Sequence, residues 1–149
     1  MKPSKDVGAR AWCLAPMLAV ALAAISGCHD MTGPGSIPAG GYAYTGFASN
    51  GAVIVTGWLT LDLANPAQVT GTWHLDPVGN PQNIGPQTGD GHLLGGMSGG
   101  VLNVNLNPDS ADSNVFLNGP VGGNSFSGRW TYSGFVGVVN EGSFQALQR

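Results

Sequence analysis

Two short motifs carry the side chains best suited to chemistry in this chain: His74-Leu75-Asp76 and Asp90-Gly91-His92. Residues two apart on a strand share a face, so two imidazoles and two carboxylates would converge as zinc-type ligands if those strands pair. The set has no cysteine and no compact ligand spacing, so the expected reading is polar residues of an outer face, and no metal is expected. Asp109, Asp112 and Asn114 bring oxygens into one stretch. Their spacing is not that of an EF-hand and no bidentate glutamate follows, which leaves turn formation as the expected role. Catalysis lacks its usual parts: there is no Gly-x-Ser-x-Gly elbow, no lysine after Lys5 to form a Schiff base, and one glutamate, Glu141, beside Gly142. Asp62 and Asp76 could form a carboxylate pair, but nothing local would raise either pKa. No enzyme activity, no catalytic residue and no cofactor are expected.

The cysteines point in another direction. Lys2, Lys5 and Arg10 against a single Asp6 precede an almost uninterrupted apolar run over residues 11–25 that ends in small residues. That is the layout of a secretory signal. The run falls short of the roughly 20 apolar residues a transmembrane helix needs and is interrupted by Pro16; polar, Gly-rich sequence follows it. Cys13 lies inside this leader, so cleavage leaves Cys28 alone, with no partner for a disulfide.

Ile25-Ser26-Gly27-Cys28 resembles the lipobox of bacterial lipoproteins, in which an aliphatic residue, a small residue and Gly or Ala precede the modified cysteine. The resemblance spans residues 1 to 30 only. It implies that the Cys28 sulfur receives a diacylglycerol, that the chain is cut just before it, and that the new amino terminus is acylated as well. Two or three acyl chains give stable anchoring, at about 0.8 kcal/mol per buried methylene, where one chain does not. In that family an Asp directly after the cysteine retains the product at the inner membrane. The position here is His29, with Asp30 one step later, so the resemblance implies the outer membrane of the cell envelope.

Removal of residues 1–27 leaves 122 residues, enough for one domain with a single core. That part holds seven acids and two bases, Arg129 and Arg149, for a net charge of −5 with no lysine. Nucleic acid is excluded as a partner because phosphate binding needs clustered Lys and Arg. An anionic bilayer would not attract such a surface either, so membrane attachment has to come from the lipid. Residues 30–41, "DMTGPGSIPAGG", are rich in Gly and Pro and read as a tether reaching at most roughly 40 Å. The expected organisation is a cleaved signal over 1–27, lipidated cysteine and tether over 28–41, and one domain over 42–149.

The elements that must position these residues are strands. No window after Tyr42 shows a helical period, and Gly recurs every few residues. Leu59, Leu61 and Leu63 alternate with Thr60 and Asp62; Val69, Gly71, Trp73 and Leu75 alternate with Thr70, Thr72 and His74. Leu102, Val104 and Leu106, and then Phe126, Gly128, Trp130 and Tyr132, repeat the pattern. One dry face and one wet face describe an antiparallel sheet around one core. Turn chemistry at 49–51, 65–67, 107–114, 120–124 and 139–142 separates eight expected strands, over 42–48, 52–63, 68–75, 92–98, 101–106, 114–117, 125–132 and 142–147. The expected fold is all-β, an up-and-down meander closed into an eight-stranded barrel, with a two-sheet sandwich as the alternative. "VTGTW" at 69–73 and "FSGRW" at 126–130 form a faint repeat, read as two uses of one hairpin solution.

Gly next to an aromatic recurs in Thr45-Gly46-Phe47, Thr56-Gly57-Trp58, Gly71-Thr72-Trp73, Gly128-Arg129-Trp130, Ser133-Gly134-Phe135 and Gly142-Ser143-Phe144. An inward Gly makes room that a neighbouring ring fills, so barrel packing is the first reading. The second is a ligand cup, since an eight-stranded barrel is about large enough for one small molecule. The Gly-x-Trp triplets resemble those of lipocalin and avidin barrels, a resemblance that carries over no binding residues. As a cup, the barrel mouth would take a small apolar ligand with Trp73, Trp130 and Tyr132 as wall residues. Trp58 has the parity of Ile54, Thr56 and Thr60, opposite the leucine row. Either a bulge near Gly57 shifts the register or Trp58 stands on the outside as a surface for a partner protein of the envelope.

Overall fold

The computed structural model describes residues 37–149 of the chain. The leader, the lipobox with Cys28, and the start of the tether lie outside the described residues. The remainder is a closed barrel of eight antiparallel strands in sequence order. They are β1 (Gly40–Ala48), β2 (Val53–Leu61), β3 (Val69–Pro77), β4 (Gly89–Ser98), β5 (Val101–Asn105), β6 (Ser113–Gly122), β7 (Ser125–Gly134) and β8 (Gly137–Gln148). Pairing of β1 with β8, from Tyr42↔Gln148 to Ala48↔Gly142, closes the ring and leaves no unpaired edge. The barrel also takes in residues that composition gave to the tether. Ile37 is buried, and the Tyr42 hydroxyl donates to the Pro38 carbonyl.

Alternation places the core as expected: Leu59, Leu61, Val69, Trp73, Leu75, Leu102, Val104, Leu106, Phe126 and Trp130 are all buried. Three aromatic rings pack in the interior. Tyr44 stacks on Phe144 at 5.8 Å between centroids, and Phe126 meets Phe144 edge-on at 4.7 Å.

An up-and-down barrel has two ends. Ile37 enters and Arg149 leaves at one, where the Arg149 N–H donates to the Gly41 carbonyl at 3.0 Å. The connections 62–68, 99–100 and 123–124 share that end. The far end carries 49–52, 78–88, 106–112 and the two-residue turn 135–136.

Three local departures from alternation have physical causes. In β2, Gly46 pairs with Val55 but Phe47 with Val53, so Ile54 is a bulge residue. The bulge thus lies at Ile54, not near Gly57, and both Ile54 and Val55 are buried. Strand β6 runs on through Pro120, so the turn expected at 120–124 shrinks to Gly123 and Asn124. The β6–β7 ladder skips from Asn118↔Arg129 to Val121↔Phe126 across Pro120, which has no N–H to donate. Strand β8 begins at Gly137 rather than 142, and "VNEG" at 139–142 is strand, not turn. A second bulge, between Tyr132↔Asn140 and Ser133↔Val138, takes up Val139 and erases the two-residue period there.

Candidate functional site

The expected cup residues lie in the barrel interior and at its far end. Trp73 on β3 pairs with Gly91 on β4, and Trp130 on β7 pairs with Gly142 on β8. A Cβ on Gly91 would sit 2.6 Å from the Trp73 ring, and one on Gly142 would sit 2.7 Å from the Trp130 indole nitrogen. Gly makes room for the indole as expected, but across the ladder and not within the same triplet. Both indole N–H groups are committed to backbone. Trp73 Nε1 donates to the Leu106 carbonyl at 2.8 Å and to the His92 carbonyl at 3.1 Å, and Trp130 Nε1 donates to the Phe47 carbonyl at 2.8 Å.

Tyr132 is half-buried and lies against Gly85 of the long loop 78–88. That loop folds over the far end. Its Ile84 and Gln87 are buried, Gln87 Nε2 donates to the Ile84 carbonyl at 2.8 Å, and Asn140 Nδ2 donates to the Gln82 carbonyl at 3.5 Å. Two buried polar atoms, the Tyr44 hydroxyl and Gln87 Oε1, have no hydrogen-bond partner among the described residues. Burial pushes the Tyr42 phenol up to about 12 and raises the Tyr44 phenol further, so both stay neutral.

On the outside, Trp58, His74 and Asp90 form a row across β2, β3 and β4, since Trp58 pairs with His74 and His74 with Asp90. Trp58 is half-buried and its ring stacks on the imidazole, with centroids 6.1 Å apart and planes at 26°. His74 Nδ1 lies 2.6 Å from Asp90 Oδ1, and Nε2 lies 3.4 Å from Asp76 Oδ2. The hydrogen bond to Asp90 raises the His74 pKa above its ordinary value; partial desolvation opposes it, and the charges of Asp90 and Asp76 add to it.

Of the four residues considered as zinc-type ligands, three meet in space. His92 turns away to Asp109, with Nε2 3.2 Å from Oδ2. With both His74 nitrogens already facing carboxylates, the described residues offer no group of three or more side chains set to hold a metal ion. Asn114 acts within its own loop, donating to the Ser110 carbonyl at 3.0 Å and accepting from Asn105 at 2.6 Å.

Two clefts mark the surface. One, of about 280 Å³, lies at the far end between the connections 78–88 and 106–112, against Trp73, Pro86, Asp90, His92 and Asp109. The other, of about 330 Å³, lies along the Arg129–Glu141 ion pair (3.2 Å) next to Gly128 and Gly142.

Sequence reasoning missed the β7–β8 tip. Phe135 belongs to a Gly-aromatic triplet expected to pack, yet it is 87 % exposed, and Val136 is 91 % exposed. Val138 and Val139 follow at 63 % and 43 %. The signal was the run "GFVGVV" itself, in which neighbouring valines cannot both face a core from a regular strand. Comparison with protein-family models, with curated proteins and with solved structures finds no match for this chain.

Proposed function

We propose that this chain is a lipid-anchored protein of the bacterial cell envelope, attached through Cys28 at the outer membrane. Its barrel serves as a non-enzymatic scaffold that presents outer surfaces to another envelope protein. The observation that carries the reading is the filled interior. Trp73, Trp130, Tyr42, Tyr44 and Phe126 pack against one another's neighbours inside the ring, and both indole N–H groups are taken by backbone carbonyls. A side-chain-filled barrel is a rigid body whose specificity must lie on its outside. The lipobox resemblance supports the anchor, and the acidic composition of residues 28–149, which contain no lysine, supports attachment by lipid rather than by charge.

The alternative, an apolar ligand walled by Trp73, Trp130 and Tyr132, requires loop 78–88 to lift and the aromatic core to part. Tryptophan fluorescence decides between the two. Titration with fatty acids, sterols and aromatic probes is expected to leave the emission unchanged. A saturable shift, lost on Trp73→Phe, would instead support the ligand cup. Replacement of Cys28 by Ser is expected to move the protein from the membrane fraction to the soluble fraction.

A further inference from the structure

Resting on that reading, we propose that the β7–β8 tip, Phe135, Val136, Val138 and Val139, is the docking element. Its occupant is an apolar socket rimmed by Lys and Arg on a second envelope protein. Four apolar side chains crowd five consecutive residues at the end of the barrel opposite the entry of the described chain. An apolar projection of this kind costs solubility and marks an interaction site. The hairpin is held rigidly. It is laddered down to Ser133↔Val138 and Gly134↔Gly137, Ser113 of β6 pairs with Gly134, and Asn140 is tied to loop 78–88. A projecting turn with little freedom to lose suits insertion into a preformed pocket.

Charge and area select the occupant. The far-end connections contain no Lys or Arg, whereas Asp109 and Asp112 lie in one of them and Asp76 and Asp90 stand where β3 ends and β4 begins. Asp112 directly precedes the Ser113↔Gly134 pair at the base of the tip. An apolar point with Asp112 at its base, on an end whose connections carry carboxylates but no Lys or Arg, is repelled by an anionic bilayer and by a second copy of itself, and is attracted to a basic rim. Four side chains also fall well short of the roughly 800 Å² per partner that a stable symmetric dimer buries. An apolar anchor enclosed by a pocket, with polar groups around it, can bind with less area.

The test is site-specific photocrosslinking in intact cells producing the full-length protein, with p-benzoylphenylalanine at position 135 and, as control, at the exposed position 145 of the same strand. The expected result is a discrete protein adduct at 135 only. Its yield should fall roughly tenfold with Val136→Asp or Val138→Asp, the loss of one hot-spot residue. It should also fall with Asp109→Asn plus Asp112→Asn, and in membranes washed at high salt. Mass spectrometry should place the crosslinked peptide in an apolar segment flanked by Lys or Arg.

An adduct of phospholipid mass, an adduct of twice the protein's own mass, equal yields at 135 and 145, indifference to the tip substitutions, or a partner segment without basic residues would each overturn the proposal. Unchanged thermal melting of the Asp variants separates lost docking from lost folding. Recovery of the protein from the soluble fraction would overturn the anchoring reading alone, and the crosslink at 135 would still decide the tip.

Discussion

His74 is held between two carboxylates and covered by an indole, and this arrangement gives it a pH-dependent role. Its pKa is raised in the folded state, first by the hydrogen bond to Asp90, against an unfolded value of 6.5. A group whose folded pKa lies above its unfolded one stabilises fully below the unfolded value, and that contribution disappears as pH rises through the folded value. The stability difference between the wild type and His74→Gln is therefore expected to be greatest in mildly acidic solution and to fall as pH rises through the folded value. Because the pair is exposed, the effect should be small and should shrink with added salt. An NMR titration of the ring protons checks the cause directly. His74 should titrate above the ordinary histidine range, and Asp90→Asn should bring it down. A wild-type His74 titrating at or below the ordinary value would contradict the geometry.

At the scale of elements, the barrel closes because strands approach one another more closely at glycines than any side chain would allow. Gly142 is the clearest case. A Cβ there would lie 2.1 Å from the Phe47 carbonyl, the same oxygen that accepts the Trp130 N–H. Gly142→Ala should push β8 from β1 and break that hydrogen bond, at a cost of about 3 kcal/mol in urea unfolding. Gly122→Ala, where a Cβ meets nothing within 4 Å, should stay within about 0.5 kcal/mol of wild type. Equal effects at the two positions would refute the close-approach argument.

Most strands were legible in the sequence because one face had to be dry, and the rows Leu59-Leu61, Val69-Trp73-Leu75, Leu102-Leu106 and Phe126-Trp130 declare it residue by residue. What was not legible lay where that constraint lapses. The bulge at Ile54 buries a residue whose parity puts it on the outer face with Trp58, and Pro120 looks like a turn while sitting in β6. The upper part of β8 runs past the core, so nothing there enforces alternation. The outer row was half legible: the two His/Asp motifs were visible, but the register that sends His74 to Asp90 and His92 to Asp109 is a long-range fact. Phe135 was misread because a Gly-aromatic pair looks the same whether it fills a core or caps a turn.

At the scale of the whole barrel, the two ends differ. The chain enters and leaves at one end, while the lid loop, the carboxylates and the apolar tip gather at the other. On the proposed anchoring, the eight residues between Cys28 and Ile37 would keep the entry end within roughly 30 Å of the bilayer. That placement follows from the proposed anchor. Intact-mass and peptide mass spectrometry of the protein purified from its native membrane tests it most directly. The account predicts a chain beginning at Cys28 and carrying a diacylglycerol on sulfur with an added acyl group on nitrogen. A free Cys28 thiol, or a chain that still carries residues 1–27, would contradict it.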